Sequence, residues 1–162
     1  MNLLAKLDFS FNRISFFPSC IGELKNLEEL YLQHNLIEDL SKIDWPNLNY
    51  LSLISLSVNP LNIFPAKLFY LPINHLNLSY TFIQQFPQEY YPKSTVVSLF
   101  LNNNFIASFN SSVCNLPLLS HINLDNNFIQ EIDDNIDVNC KNLRVFSLNS
   151  NFFFKFFNFL IF

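Results

Sequence analysis

The groups able to do chemistry in this 162-residue chain are few: three histidines, three cysteines and a small set of carboxylates. His34, His75 and His121 are the candidate metal ligands or general bases. Asp8 and Glu29, with Lys6 near them, are the candidate acid–base pair. Cys20, Cys114 and Cys140 are odd in number and far apart, and none sits in a C-x-x-C. Neither a disulfide framework nor a zinc site is expected from them. No serine lies in a G-x-S-x-G context, so no nucleophilic triad is indicated. The single glycine, Gly22, leaves no loop in which backbone could approach a phosphate closely.

Composition narrows the classes further. Half of the residues are apolar and only 14% are charged, which excludes a disordered chain. The length suits one domain. A net charge of −4 leaves no basic surface to displace the counterions of a nucleic acid. No run of 18 apolar residues predicts a membrane span, and the first residues, MNLLAKLDFSFNR, carry no signal-peptide pattern. A reducing, cytoplasmic location is the default for such a chain. The sequons at Asn77 and Asn110 would matter only with an export signal. Twenty Phe and 24 Asn, against one Gly, three Ala and two Arg, point to an AT-rich genome, so drift accounts for part of the excess.

The elements that must position these groups come from a repeat. Units begin at Leu4, Leu27, Leu51, Ile73, Val96, Leu119 and Leu143, spaced 22 to 24 residues apart. Each start is followed by apolar residues three and five positions on, as at Leu30 and Leu32. Eight on comes Asn12, Asn35, Asn59, Thr81, Asn104, Asn127 or Asn151. Ten and thirteen on, apolar residues return, as at Ile106 and Phe109. The alternation at the start of each unit predicts a short strand with period two. Such a strand buries its apolar side only by stacking on copies of itself at roughly 4.8 Å. The asparagine is predicted to turn the chain inward and to pair buried backbone groups, a job that Thr81 can do only in part. The returning arm, variable and proline-containing, suits short 3₁₀ or irregular turns.

This pattern resembles the leucine-rich-repeat family over nearly the whole chain. The first unit, NRISFFPSCIGELKNL, with Pro18, Pro65 and Pro87 after the apolar residue, is similar to the intracellular subclass of Ras-binding scaffolds and adenylate cyclases. The resemblance implies an α/β right-handed solenoid of about seven repeats, residues 1–162 as one domain, with a parallel concave sheet and an irregular convex side. It implies a non-catalytic protein-binding module without cofactor or metal, an intracellular signalling scaffold or adaptor. The subclass implies a Ras-like small GTPase as partner. A second reading is the recognition arm of a larger kinase, phosphatase or cyclase whose catalytic domain lies elsewhere. A third is a secreted or surface receptor.

Position in the repeat then selects the concave-face residues. The outward columns carry Asp8, Phe11, Glu29, Tyr31, His34, His75, Tyr80, Phe100, Asn102, His121 and Asp125, which form the expected protein-binding face. Exposed aromatics with polar neighbours are the usual make-up of binding hot spots; drift in a Phe-rich chain is the competing account. His75 and His121 share a column two repeats apart, roughly 10 Å, too far for one zinc ion. The carboxylates on this flat face read as a solvated patch that gives no water-excluding cleft. The tail NFFFKFFNFLIF is too short to span a membrane and stays in register, with Phe153, Phe156 and Leu160 on core positions, the last matching Tyr90 and Ile136. Phe152, Phe154, Phe157, Phe159 and Phe162 fall outside the core pattern. With no cap sequence visible at either end, the chain reads either as a piece of a longer protein or as one capped by association.

Overall fold

In a computed structural model the chain forms a solenoid, described over residues 3–17, 19–41, 43, 45, 48–132, 136 and 140–154. Each repeat contributes one three-residue strand: β1 (Lys6–Asp8), β2 (Glu29–Tyr31), β3 (Leu53–Ser55), β4 (His75–Asn77), β5 (Ser98–Phe100), β6 (His121–Asn123) and β7 (Val145–Ser147). The seven strands form one parallel sheet in chain order. Every pairing aligns equivalent repeat positions, for instance Leu30 with Ile54 and Tyr31 with Ser55. The central residue of each strand faces inward, and Leu30, Ile54, Leu76, Leu99 and Ile122 are buried. Around them one continuous core runs the length of the stack, built from the start, strand and post-asparagine positions. Three short 3₁₀ helices, Ser19–Glu23, Ala66–Tyr70 and Ser111–Asn115, return the chain on the convex side. Pro18 and the tail residues Phe156, Phe157, Phe159, Leu160 and Phe162 lie outside the described residues.

The asparagines stitch neighbouring coils together. Asn59 Nδ2 donates to the Leu32 carbonyl of the coil before it at 2.9 Å and to its own coil's Leu56 carbonyl at 3.0 Å. Its Oδ1 accepts from the Ile37 N–H at 3.0 Å. Asn35, Asn104, Asn127 and Asn151 repeat this arrangement. Asn12, on the first described coil, is exposed and donates only within its own turn. Thr81 makes a weaker link. Its hydroxyl sits 2.9 Å from the Leu78 carbonyl and 2.7 Å from Asn104 Oδ1, with one proton for the two acceptors. The Leu61 N–H, which an asparagine at 81 would have accepted, donates instead to the Asn59 carbonyl at 2.8 Å.

The residue before each of these positions is left-handed. Phe11, His34, Val58, Tyr80, Asn103, Asn126 and Ser150 have φ between 54° and 59°. The first six donate their N–H to the next coil, as from His34 to the Ser57 carbonyl and from Val58 to the Ser79 carbonyl, both at 3.0 Å. With one glycine in the chain, ordinary residues bear this conformation. Asparagine tolerates it; a β-branched valine does so least well.

Two sequence expectations need correction. Cys114 and Cys140 form a disulfide, with their Cα atoms 4.7 Å apart, a separation suited to bridging. Sequence distance hid the pair, because the repeat lays residues about one period apart side by side on consecutive coils. Cys20 is free and exposed. The second correction concerns the convex core of the fourth repeat. Tyr90, matched there by position, is 66% exposed, while Tyr91 is buried. That arm carries Pro87 and Pro92 and forms no 3₁₀ helix among its described residues, so the inward residue shifts by one. The Tyr91 ring packs on Phe69 and its hydroxyl donates to Glu89 Oε2 at 2.9 Å.

These contacts set measurable stabilities. Asn104→Ala leaves several buried backbone groups without a partner and is expected to destabilise the chain by about 3 kcal/mol, whereas exposed Asn12→Ala is expected to cost under about 1 kcal/mol. Chemical denaturation of both variants checks the contrast. Val58→Asn relieves the left-handed strain and is expected to stabilise the chain by about 1 kcal/mol, read as a higher Tm. Replacing Cys114 and Cys140 together by Ser opens a link across a sequence separation of 26 residues, with an expected loss of about 3 kcal/mol and the same loss on adding reductant to the wild type.

Candidate functional site

The concave face is made by the first and third residues of each strand, because the middle one is committed to the core. One register-aligned column reads Lys6, Glu29, Leu53, His75, Ser98, His121 and Val145. The next reads Asp8, Tyr31, Ser55, Asn77, Phe100, Asn123 and Ser147. Two serines, Ser55 and Ser98, are buried although they sit in outward columns.

The structure gathers five of the expected site residues, Asp8, Phe11, Glu29, Tyr31 and His34, at the first two repeats, with Lys6 and Ser10 beside them. Lys6 Nζ lies 3.1 Å from Glu29 Oε2 and 4.7 Å from the centre of the Tyr31 ring. The Tyr31 hydroxyl donates to the same Glu29 oxygen at 3.0 Å. Phe11 and His34, both left-handed, stack with ring centroids 4.2 Å apart. Asp8 accepts from the Ser10 N–H at 2.9 Å and from its hydroxyl at 2.5 Å. The Lys6 ammonium, followed by the Tyr31 hydroxyl, holds the Glu29 carboxyl below its ordinary range, and Glu29 in turn raises Lys6. The two Ser10 bonds lower Asp8. These carboxylates are therefore charged at neutral pH and form a solvent-facing patch. Any stability they add is present above the usual carboxylate range and fades as pH falls through the lowered values. In an exposed pair it is small.

The remaining expected residues form a second group. Phe100 lies in the Tyr31 column three strand spacings away, about 14 Å. His75 and His121 flank Ser98 in the other column, two spacings or about 10 Å apart. His121 Nδ1 is 2.6 Å from the Ser120 hydroxyl. Tyr80 is exposed, and the Asn102 carbonyl accepts its N–H at 3.0 Å. Asp125 is tied to the next coil: its Oδ1 accepts from the Ser147 hydroxyl at 2.6 Å and the Asn149 N–H at 2.7 Å. Among the described residues no group of three or more His, Cys, Asp or Glu could hold a metal ion, and no helix is long and apolar enough to cross a membrane.

Sequence reasoning passed over another set. Phe82, Phe105, Phe128 and Phe152 occupy the position just after the asparagine site in four consecutive repeats. Their rings form a ladder with centroids 5.8, 5.7 and 5.3 Å apart. Each is 43 to 50% exposed. The signal was periodic and present in the sequence, at a position the repeat pattern leaves unspecified.

Comparison with known proteins agrees with this geometry. A family model described as Leucine Rich repeats (2 copies) matches residues 3–45. A leucine-rich-repeat protein of Leptospira interrogans superposes with a TM-score of 0.73 at 31% identity, over 86% of this chain and 36% of its own. An internalin C2 of Listeria monocytogenes superposes with a TM-score of 0.72 at 26% identity, over 91% of this chain and 62% of its own. The chain thus spans less than two thirds of the length of either relative. No curated protein matches it by sequence.

Proposed function

Because this chain has the fold of the leucine-rich-repeat proteins, we propose that it is a protein-binding module whose concave face takes a protein partner. Leucine-rich-repeat proteins generally act as protein-interaction modules. The observation that carries the reading here is the cluster of Lys6, Phe11, Glu29, Tyr31 and His34, with Phe100 farther along the sheet. None of these side chains is demanded by the core. Phe11 is 73% and Phe100 is 39% exposed, and Phe11 is held by stacking on His34 and Tyr31 by Lys6 and Glu29, so these two rings lose little side-chain freedom on binding. Aromatics about 14 Å apart, set in a polar surround, suit a two-anchor protein interface. The open sheet lacks the enclosed, dry pocket in which side-chain acid–base chemistry becomes effective.

The form of binding module proposed is a scaffold or adaptor. The disulfide between Cys114 and Cys140 favours work in an oxidising compartment over the cytoplasmic signalling role, with a Ras-like small GTPase as partner, that the intracellular subclass implies. A second reading, the recognition arm of a larger protein, is supported by the relatives, of whose length this chain spans 36% and 62%.

The test is affinity for proteins captured on the immobilised chain from source-cell extract. Tyr31→Ala combined with Phe100→Ala is expected to weaken the captured partner's binding at least tenfold, about 1.4 kcal/mol, with the melting temperature unchanged. Unchanged affinity would remove the concave face as the site. Preferential capture of a GTP-loaded small GTPase would move the reading back to the cytoplasm.

A further inference from the structure

The fold does not require phenylalanine on the Phe82–Phe105–Phe128–Phe152 ladder. The same position in the first three repeats holds Arg13, Leu36 and Pro60. The rungs are nevertheless rigidly set. Each lies between a residue at the asparagine site and an inward apolar residue. Each donates its N–H to the previous coil: Phe82 to the Leu61 carbonyl, Phe105 to Ile83, Phe128 to Ile106 and Phe152 to Ile129, at 2.7 to 2.9 Å. Each rung sits five residues beyond its strand's end, on the edge where the chain turns away from the sheet, so the ladder is separate from the strand columns.

We propose that this ladder is a contact between two copies of the chain, running antiparallel about a two-fold axis between Phe105 and Phe128. Phe82 of one copy then meets Phe152 of the other, and Phe105 meets Phe128. Three observations select a second copy as the occupant. In this antiparallel arrangement the central spacing of 5.7 Å faces itself and the outer spacings of 5.8 and 5.3 Å face each other, close enough for ring to meet ring along the ladder. The rows two residues to either side carry no charge: Tyr80, Asn103, Asn126 and Ser150 precede the rungs, and Gln84, Ala107, Gln130 and Phe154 follow them, with the carboxylates Asp125 and Glu131 one residue farther out from Phe128. Two chains of net charge −4 can therefore meet along these rows without like charges directly opposed. The area also fits a weak pair. Four half-exposed rings offer about 400 Å² per copy, within the patch size that is often functional on a monomer, and about 800 Å² over two copies, at the low end of interface areas. Because the strand columns stay outside the contact, the pair presents two concave faces.

Sedimentation equilibrium over a concentration series tests this. The full chain is expected to dimerise with a dissociation constant on the order of 100 µM. Phe105→Ser with Phe128→Ser should abolish the dimer with little change in melting temperature, and Phe16→Ser, an exposed ring off the ladder, should leave it intact. In a Cys20→Ser background, Phe82→Cys with Phe152→Cys should form an intermolecular disulfide under mild oxidation, while Phe82→Cys alone should not. A monomer up to about 1 mM, a dimer indifferent to the ladder substitutions, or cross-linking through Phe82→Cys alone overturns the proposal.

Discussion

The structure depends on one side-chain amide, repeated. A three-residue strand has too few backbone bonds and too little apolar surface to be stable alone. What fixes each strand against the next is an asparagine that donates to two carbonyls and accepts one N–H, with partners on two coils. Those backbone groups lie under the turn, where water cannot serve them, and each would cost about 1–3 kcal/mol unpaired. The same bonds set the register, so equivalent residues align down the whole sheet. Thr81 shows how strict the requirement is. A hydroxyl with one proton replaces only part of the amide, and the Leu61 N–H finds its acceptor within its own turn instead.

The outward rows follow from that constraint. Turning the chain down into the amide network puts the preceding residue in the left-handed region with its side chain outside, which is why Phe11, His34 and Tyr80 are presented at the rim of the sheet. Strand geometry presents Glu29, Tyr31 and Phe100 in the same way. The proposed binding surface is therefore made of positions that the amide network holds in place without dictating their side chains. That separation lets a rigid scaffold carry variable chemistry.

Most of the fold was legible because the physical requirement recurs at a constant period: inward apolar residues, the asparagine, and the outward columns were all readable by position. What escaped was set between coils or off the period. Cys114 and Cys140 become neighbours only when the stack exists, so a reading by sequence distance discards them. Tyr91 replaces Tyr90 in the core because a proline-bounded arm need not keep the register of its neighbours. Asp125 is hydrogen-bonded to Ser147 and Asn149 of the next coil, a link visible only in three dimensions. The Phe ladder was missed for another reason: the repeat formula leaves its position open, so attention passed over it.

The distribution of the aromatics bears on whether drift in an AT-rich gene explains them. Drift acts on codons without regard to where a side chain will point, so it should enrich all outward rows alike. It does not. The column from Lys6 to Val145 contains no phenylalanine in seven positions, and the column from Asp8 to Ser147 contains only Phe100. The position after the asparagine site holds Phe in four consecutive repeats. Rows that point away from the core thus differ sharply in aromatic content, even counting Ser55 and Ser98 as positions with no room for a ring. A uniform mutational pressure lacks the means to produce that difference, whereas a contact running along one edge of the solenoid acts on that edge alone.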